Sequence, residues 1–135
     1  MSRRFVALAA VLGMLGVMAG AFGAHGLRPH VEPAALEWWR TGAQYQMVHA
    51  AVLLMIALHP PGGRLHEPWR ARAAWALALG IIIFAGTLYL MTLGGPRWLG
   101  AVTPVGGAAL ISGWAMTAIA ALTGRDRGAS SGSSV

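Results

Sequence analysis

The chain has 135 residues, of which 56% are hydrophobic and only 10% are charged. This composition is too apolar for an ordinary soluble domain of that length, and it predicts an all-α membrane protein with a single domain. The net charge of +6 comes from arginines that lie in short segments between apolar stretches, which is the pattern of membrane topology, so we expect no nucleic-acid partner.

Four stretches of the sequence lack Asp, Glu, Lys and Arg, and each is long enough to cross a bilayer core, which needs about 20 residues. Together they predict a four-helix transmembrane bundle with spans at about 5–24, 41–58, 73–93 and 99–122. Residues 1–123 would then form the one domain. Residues 124–135 are rich in Gly and Ser and have the composition of a disordered tail.

The first apolar stretch follows Arg3 and Arg4 and contains Ala19-Gly20-Ala21, so a cleaved secretory signal is an alternative to a retained span. The stretch is longer than the roughly 7 to 15 residues of a signal core, and cleavage would still leave three spans. We therefore expect the first span to be retained.

The segment Pro29 to Arg40 separates the first two predicted spans, and we expect a short interfacial helix there. Glu32 and Pro33 are suited to begin it, because proline is tolerated in the first turn. Leu36 and Trp39 would form its apolar face on the membrane surface. This helix would lead into the second span.

The two later connections carry turn signals. The loop at 59–72 contains two prolines followed by two glycines and predicts a turn-rich connection without periodicity. Thr103 and Pro104 are suited to the N-cap and the first position of a helix, so span 4 is expected to begin there. Its free N–H groups would then point toward the outer surface.

The arginines predict the orientation, since the two termini of a four-span protein lie on the same side. Seven arginines fall on the side of the termini, and three fall on the other: Arg3, Arg4, Arg64, Arg70, Arg72, Arg125 and Arg127 against Arg28, Arg40 and Arg97. The positive-inside rule places both termini in the cytoplasm.

Polar residues inside the predicted spans gather near the outer surface and form a candidate ligand-binding cluster: His25, Tyr45, Gln46, His49, Thr87, Tyr89 and Thr103. Tyr45 and Gln46 precede His49 by four and three residues, so all three can share one helix face. An unpartnered polar group in hydrocarbon is costly, so this face should turn toward protein or a hydrated cavity. The cluster predicts either a pocket for a lipid, quinone or small solute, or hydrogen bonding between helices.

His25 and His49 allow a second interpretation, because imidazoles on two helices are standard axial ligands of haem. The alternative is that each forms hydrogen bonds with a neighbouring helix. Their predicted depths differ by about two turns. We expect the structural role, with no metal and no other cofactor.

Enzymatic chemistry has little support in the sequence. There is no cysteine, no carboxylate within a predicted span, and no Gly-x-Ser-x-Gly or His-Glu-x-x-His motif. Ser112 has no histidine within a turn. We therefore expect no catalytic residues, no enzymatic activity and no proton pumping.

Several motifs resemble one known family. They are the Gly-Ala-Phe-Gly-Ala-His at 20–25, the Tyr-Gln-x-x-His at 45–49, the Phe-x-Gly-x-Leu-Tyr at 84–89 and the Thr-Pro-Val-Gly-Gly at 103–107, with Trp39, Thr41-Gly42 and Gly113-Trp114-Ala115. In this order they resemble the YgdD/YwdK-like small inner-membrane proteins, the domain of unknown function 423 family, to which the mitochondrial transmembrane protein 256 is related.

The resemblance implies an integral protein with four helices, in the inner membrane for bacterial members, and it carries over no catalytic roles. Beside contact with the lipid bilayer we expect one function and keep a second as the alternative. The first is a noncatalytic accessory or assembly partner of a larger membrane complex, or a homo-oligomer, that packs through apolar and glycine-rich faces. The second is binding or transport of a small molecule, lipid or quinone by the outer cluster.

Overall fold

The computed structural model describes residues 3–124 and contains four long helices. Helix α1 continues into a short π-helical turn at Gly23–Leu27. All four helices are long and apolar enough to cross a membrane, which confirms the predicted four-helix membrane fold. Their bounds are Arg3–Phe22 for α1, Pro33–Leu58 for α2, Glu67–Thr92 for α3 and Leu99–Leu122 for α4.

The helices run alternately up and down, and the main interfaces join helices that are consecutive in the chain. Phe5 near the start of α1 contacts Trp75 near the start of α3, with their ring centroids 5.0 Å apart. At the other end the Thr92 hydroxyl of α3 donates to the Ala35 carbonyl of α2. The first contact lies at the end of the bundle where the chain begins, and the second lies at the opposite end.

The apolar core lies along the α2–α3 interface. Leu53 of α2 and Leu77 of α3 are fully buried, and Ile81 is nearly so. Only a few residues of α1 and α4 are buried, since each of these helices has one long face without protein contact. In a membrane those faces meet lipid, which lacks the water that would penalise apolar exposure.

Helices α3 and α4 approach each other closely through glycines. A Cβ added at Gly106 would lie 2.5 Å from the backbone nitrogen of Phe84, and one at Gly80 would lie 2.9 Å from that of Leu110. A Cβ at Gly113 would lie 2.7 Å from the Leu77 side chain. Such contacts are the usual device for packing membrane helices, because apolar packing against lipid gives little preference for a partner helix.

Three predictions about the ends of the helices need correction. The interfacial helix is not a separate element, because the helix that begins at Pro33 continues unbroken to Leu58. Span 4 begins at Leu99, so Pro104 lies inside the helix. The first amides of α4 already donate to the carbonyls of Pro96–Trp98 and do not point freely into the polar cluster.

The predicted domain and tail are only partly within the described residues. The last helix ends at Leu122, and the assignment of residues 1–123 to one domain stays a prediction. Of the tail predicted at 124–135, only Gly124 is described, and the prediction of disorder for the rest lies outside the described residues.

Candidate functional site

The seven residues of the predicted cluster do not form one site. Six of them form three separate groups on α2, α3 and α4, and His25 stands apart from them. The division follows from helix geometry, because side chains one residue apart point about 100° apart around the axis. Each group is described below with the backbone that positions it.

Gln46 joins three helices. Its side chain is only 5% exposed, its Nε2 donates to the Leu12 carbonyl of α1 at 2.8 Å, and its Oε1 accepts from the Tyr89 hydroxyl of α3 at 2.9 Å. The Tyr89 ring packs against Trp39, with centroids 4.4 Å apart. A Cβ at Gly42 would lie 2.9 Å from the Tyr89 ring. The Gln46 amide and the Tyr89 hydroxyl therefore form their hydrogen bonds with other groups of the protein.

Thr87 and Thr103 connect α3 to α4. Their hydroxyl oxygens lie 2.8 Å apart. Each hydroxyl also lies within hydrogen-bond distance of carbonyls on its own helix, Ile83 and Phe84 for Thr87, and Leu99 for Thr103. Threonine tolerates this bond to the preceding turn. The pair is a satisfied link between helices.

His49 and Tyr45 share the face of α2 that looks toward α4. The two rings stack with centroids 5.6 Å apart, and Tyr45 also packs against Phe84 at 4.7 Å. His49 is 7% exposed. Its ring meets the Trp114 ring edge-on, with the two ring centroids 6.2 Å apart. The Nδ1 atom of His49 lies 2.7 Å from the Tyr45 carbonyl oxygen.

This face borders a cavity of about 500 Å³, which we call the α2–α4 cavity. Its volume is within the range of about 300 to 1,000 Å³ that small-molecule sites occupy. Its walls are mostly aliphatic and aromatic, with polar groups from α2. The lining residues are Gln44, Tyr45, Val48, His49, Phe84, Gly107, Leu110, Ile111 and Trp114.

His25 lies in the π-helical turn, is exposed, and has no hydrogen bond to the other predicted residues in the described part of the chain. The neighbouring Gly23 touches Trp39, which is ten residues and therefore about 15 Å along α2 from His49. The structure thus does not bring His25 and His49 together. It gives no support to the interpretation of a shared haem or metal.

Trp39 has a role that the sequence does not predict. Its indole Nε1 donates to the Ala19 carbonyl at 2.7 Å, four residues before the π-helical turn begins. A change from α to π bonding leaves a carbonyl free at the junction, and the indole supplies the donor. Gly23 leaves room for the ring, because a Cβ there would lie 2.6 Å from it. The π turn itself has no signal in the sequence.

Arg70 was predicted to lie in a loop, but it is fully buried in the first turn of α3. Its Nη1 donates to the carbonyls of Ile56 and His59 at the end of α2, at 3.2 Å for Ile56. Its Nη2 lies 2.6 Å from both carboxylate oxygens of Glu67. The spacing of three residues between Glu67 and Arg70 was the available signal.

Arg70 also lowers the pKa of Glu67, its neighbour in the first turn of α3. Glu67 lies six residues before the charge-free stretch that begins at 73. The hydrogen bond from Arg70, followed by its positive charge, lowers the pKa of Glu67 below its ordinary value of 4.5, and partial desolvation opposes this. The group fastens α2 to α3 outside the apolar spans.

Known proteins provide an independent comparison. The profile of DUF423, a protein family of unknown function, matches residues 19–107. A UPF0382 membrane protein of Staphylococcus epidermidis is 40% identical over 87% of this chain and 94% of its own length. The UPF0382 membrane protein YwdK of Bacillus subtilis is 39% identical over 87% and 95%, and the UPF0382 inner membrane protein YgdD of Escherichia coli K12 is 35% identical over 96% and 97%. No solved structure matches the chain.

Proposed function

The chain belongs to the DUF423 family of membrane proteins, and we propose that it is a noncatalytic protein that holds a lipid-soluble small molecule in the α2–α4 cavity. The observation that carries this proposal is His49, a buried imidazole on the wall of a mostly apolar cavity of about 500 Å³. Cavities of this kind, with few polar groups on apolar walls, are the usual form of small-molecule sites.

The other polar residues favour holding a ligand over transporting a polar solute. Gln46 and Tyr89 bond to each other, and Thr87 bonds to Thr103, so these groups are engaged within the protein. A hydrated path would need polar groups that remain free along its length. A lipid-soluble molecule needs only an apolar cavity with one or two polar contacts.

The cavity can be filled by one substitution. A Cβ at Gly107 would meet the Phe84 ring only at 3.8 Å, an ordinary contact, so Gly107→Leu adds bulk to the lining without a backbone clash. Gly86→Leu is the matched control, because a Cβ there has no neighbour within 4 Å and Gly86 is outside the lining.

The test is to purify the full chain and both variants in mild detergent, extract each with organic solvent, and measure bound small molecules by mass spectrometry. The wild type and Gly86→Leu should carry a molecule in near-stoichiometric amount that Gly107→Leu lacks. Equal contents in all three proteins would refute the proposal.

A second candidate is an accessory or assembly partner of a larger membrane complex, or a homo-oligomer. The observation that favours it is the long uncovered face of α1, where Val17 and Met18 are about 60% exposed and a Cβ added at Gly20 would meet no other part of the protein within 4 Å. This function predicts copurification with a defined complex after gentle extraction and crosslinking. A chain that runs as a monomer under those conditions would exclude it.

We propose in addition that both termini lie in the cytoplasm. The relatives named above are membrane proteins, and YgdD is named as an inner membrane protein. The arginine excess on the side of the termini supports this orientation. A reporter fused to the C-terminus should be active in the cytoplasm, and activity confined to the other side of the membrane would reverse the assignment.

A further inference from the structure

The hydrogen bond of His49 fixes which of its ring nitrogens faces a ligand. Nδ1 lies 2.7 Å from the Tyr45 carbonyl oxygen, and a carbonyl only accepts, so the proton is on Nδ1. In the neutral ring the other nitrogen, Nε2, is then an acceptor. The bond to the preceding turn of the same helix therefore sets both the tautomer and the orientation of the ring.

Nε2 has no hydrogen-bond partner in the described part of the chain, and it is not sealed inside the protein. Within residues 3–124, the only fully enclosed side-chain nitrogen or oxygen without a partner is Nε of Arg70. Because His49 is buried and lines the α2–α4 cavity, we assign its accessible nitrogen to that cavity. Nε2 is thus an uncommitted acceptor in a mostly apolar lining, beside the polar side chains of Gln44 and Tyr45.

The surroundings of the acceptor favour a ring on the ligand. Tyr45 and Phe84 form a tilted pair with centroids 4.7 Å apart, and Trp114 presents its ring near His49. Aromatic groups of this kind pack well against another ring in offset or edge-on geometry. The aliphatic side chains of Val48, Leu110 and Ile111 complete a lining suited to an apolar tail.

We infer that the cavity selects a membrane-soluble phenol, the hydroxyl of which donates to Nε2 of His49, over molecules of the same shape that only accept hydrogen bonds. This inference rests on the proposed function, because it names the ligand class of the same cavity. The selection arises from the polarity of one atom. It requires no charge and no metal.

The probes are 4-heptylphenol and 4-heptylanisole, in which a methyl group replaces the hydroxyl proton, so the ether cannot donate. Binding of each to the full chain in nanodiscs is measured by calorimetry, with empty nanodiscs subtracted. The wild type should bind the phenol about tenfold more tightly, the effect of one hydrogen bond that has no competing water. His49→Phe keeps a ring and removes the acceptor, so it should bind both probes alike.

A spectroscopic measurement on the wild type does not depend on any variant folding. In protein labelled with ¹⁵N-histidine, the phenol should shift the Nε2 resonance of one histidine, and the ether should leave it in place. Equal affinity for both probes, or a preference for the ether, would overturn the inference while leaving the cavity as a binding site. If neither probe binds and Gly107→Leu retains the same bound molecules as the wild type, the inference and the proposed function both fail.

Discussion

Replacing Arg70 should weaken the protein far more than replacing any arginine on its surface. In Arg70→Ala the carbonyls of Ile56 and His59 lose the donor that joins the end of α2 to the start of α3. Hydrogen bonds to charged groups contribute about 1.5 to 3 kcal/mol each in water-soluble proteins, and bonds within membrane bundles average about 0.6 kcal/mol. The Glu67 carboxylate adds about 0 to 1 kcal/mol, because its side chain is half exposed and can hydrate after the change.

These terms give an expected loss of about 3 kcal/mol for Arg70→Ala, at the low end of the range for breaking a buried ion pair. Arg70→Lys should lie between Ala and the wild type, since an ammonium cannot reproduce the planar fork of the guanidinium. Arg72→Ala is the control, because that exposed side chain only lies over the Trp69 ring, 4.8 Å from its centroid. The assay is reversible unfolding in mixtures of SDS and mild detergent, followed by circular dichroism. Equal losses for Arg70→Ala and Arg72→Ala would refute the role given to Arg70.

Three further predictions concern the glycine contact at Gly106, the hydrogen bond between Gln46 and Tyr89, and the titration of Glu67. Gly106→Ala should reduce the yield of folded protein severalfold on gel filtration, because its Cβ would lie 2.5 Å from the backbone of Phe84; a normal yield would show that α3 and α4 separate easily. Gln46→Leu should cost about 1 kcal/mol and Tyr89→Phe about 0.6 kcal/mol, with the double variant less than additive, when measured by the same SDS titration; full additivity would exclude the bond between them. Glu67 has a lowered pKa, so its contribution to stability is present above pH 4.5 and lost as the pH falls through its folded pKa, and the extra loss at acid pH should disappear in Glu67→Gln; an unchanged acid loss in that variant would assign the effect elsewhere.

The spans could be predicted because hydropathy alone selects segments that cross a bilayer. Their limits could not, since charge-free stretches end at the first ionised side chain, and a helix continues past it wherever that side chain reaches water or a partner. Helix α2 begins at Pro33, eight residues before the predicted start at 41. Helix α3 begins at Glu67, because Arg70 finds carbonyl and carboxylate partners that no composition rule reveals.

The sequence predicted one polar cluster, whereas the structure divides six of its residues into three groups and leaves His25 apart from them. Tyr45 and Gln46 both lie within a turn of His49, yet Gln46 turns to α1 and α3 while Tyr45 and His49 face α4. Spacing along one helix predicts which residues share a face, but it does not say which neighbouring helix covers that face. That information depends on the glycine contacts between helices, and a single sequence carries it only weakly.

The structure gives Gln46 and His49 different roles. Both the nitrogen and the oxygen of the Gln46 amide form hydrogen bonds with neighbouring helices. Loss of this side chain should therefore lower stability and leave the α2–α4 cavity intact. His49 forms a hydrogen bond only through Nδ1. Its partner, the Tyr45 carbonyl, is on the same helix, so this bond does not join two helices. Packing against Trp114 of α4 needs a ring but no ring nitrogen, and a polar group inside a membrane span is costly unless it is used. The uncommitted Nε2 is therefore the atom to which a ligand of this protein should bond.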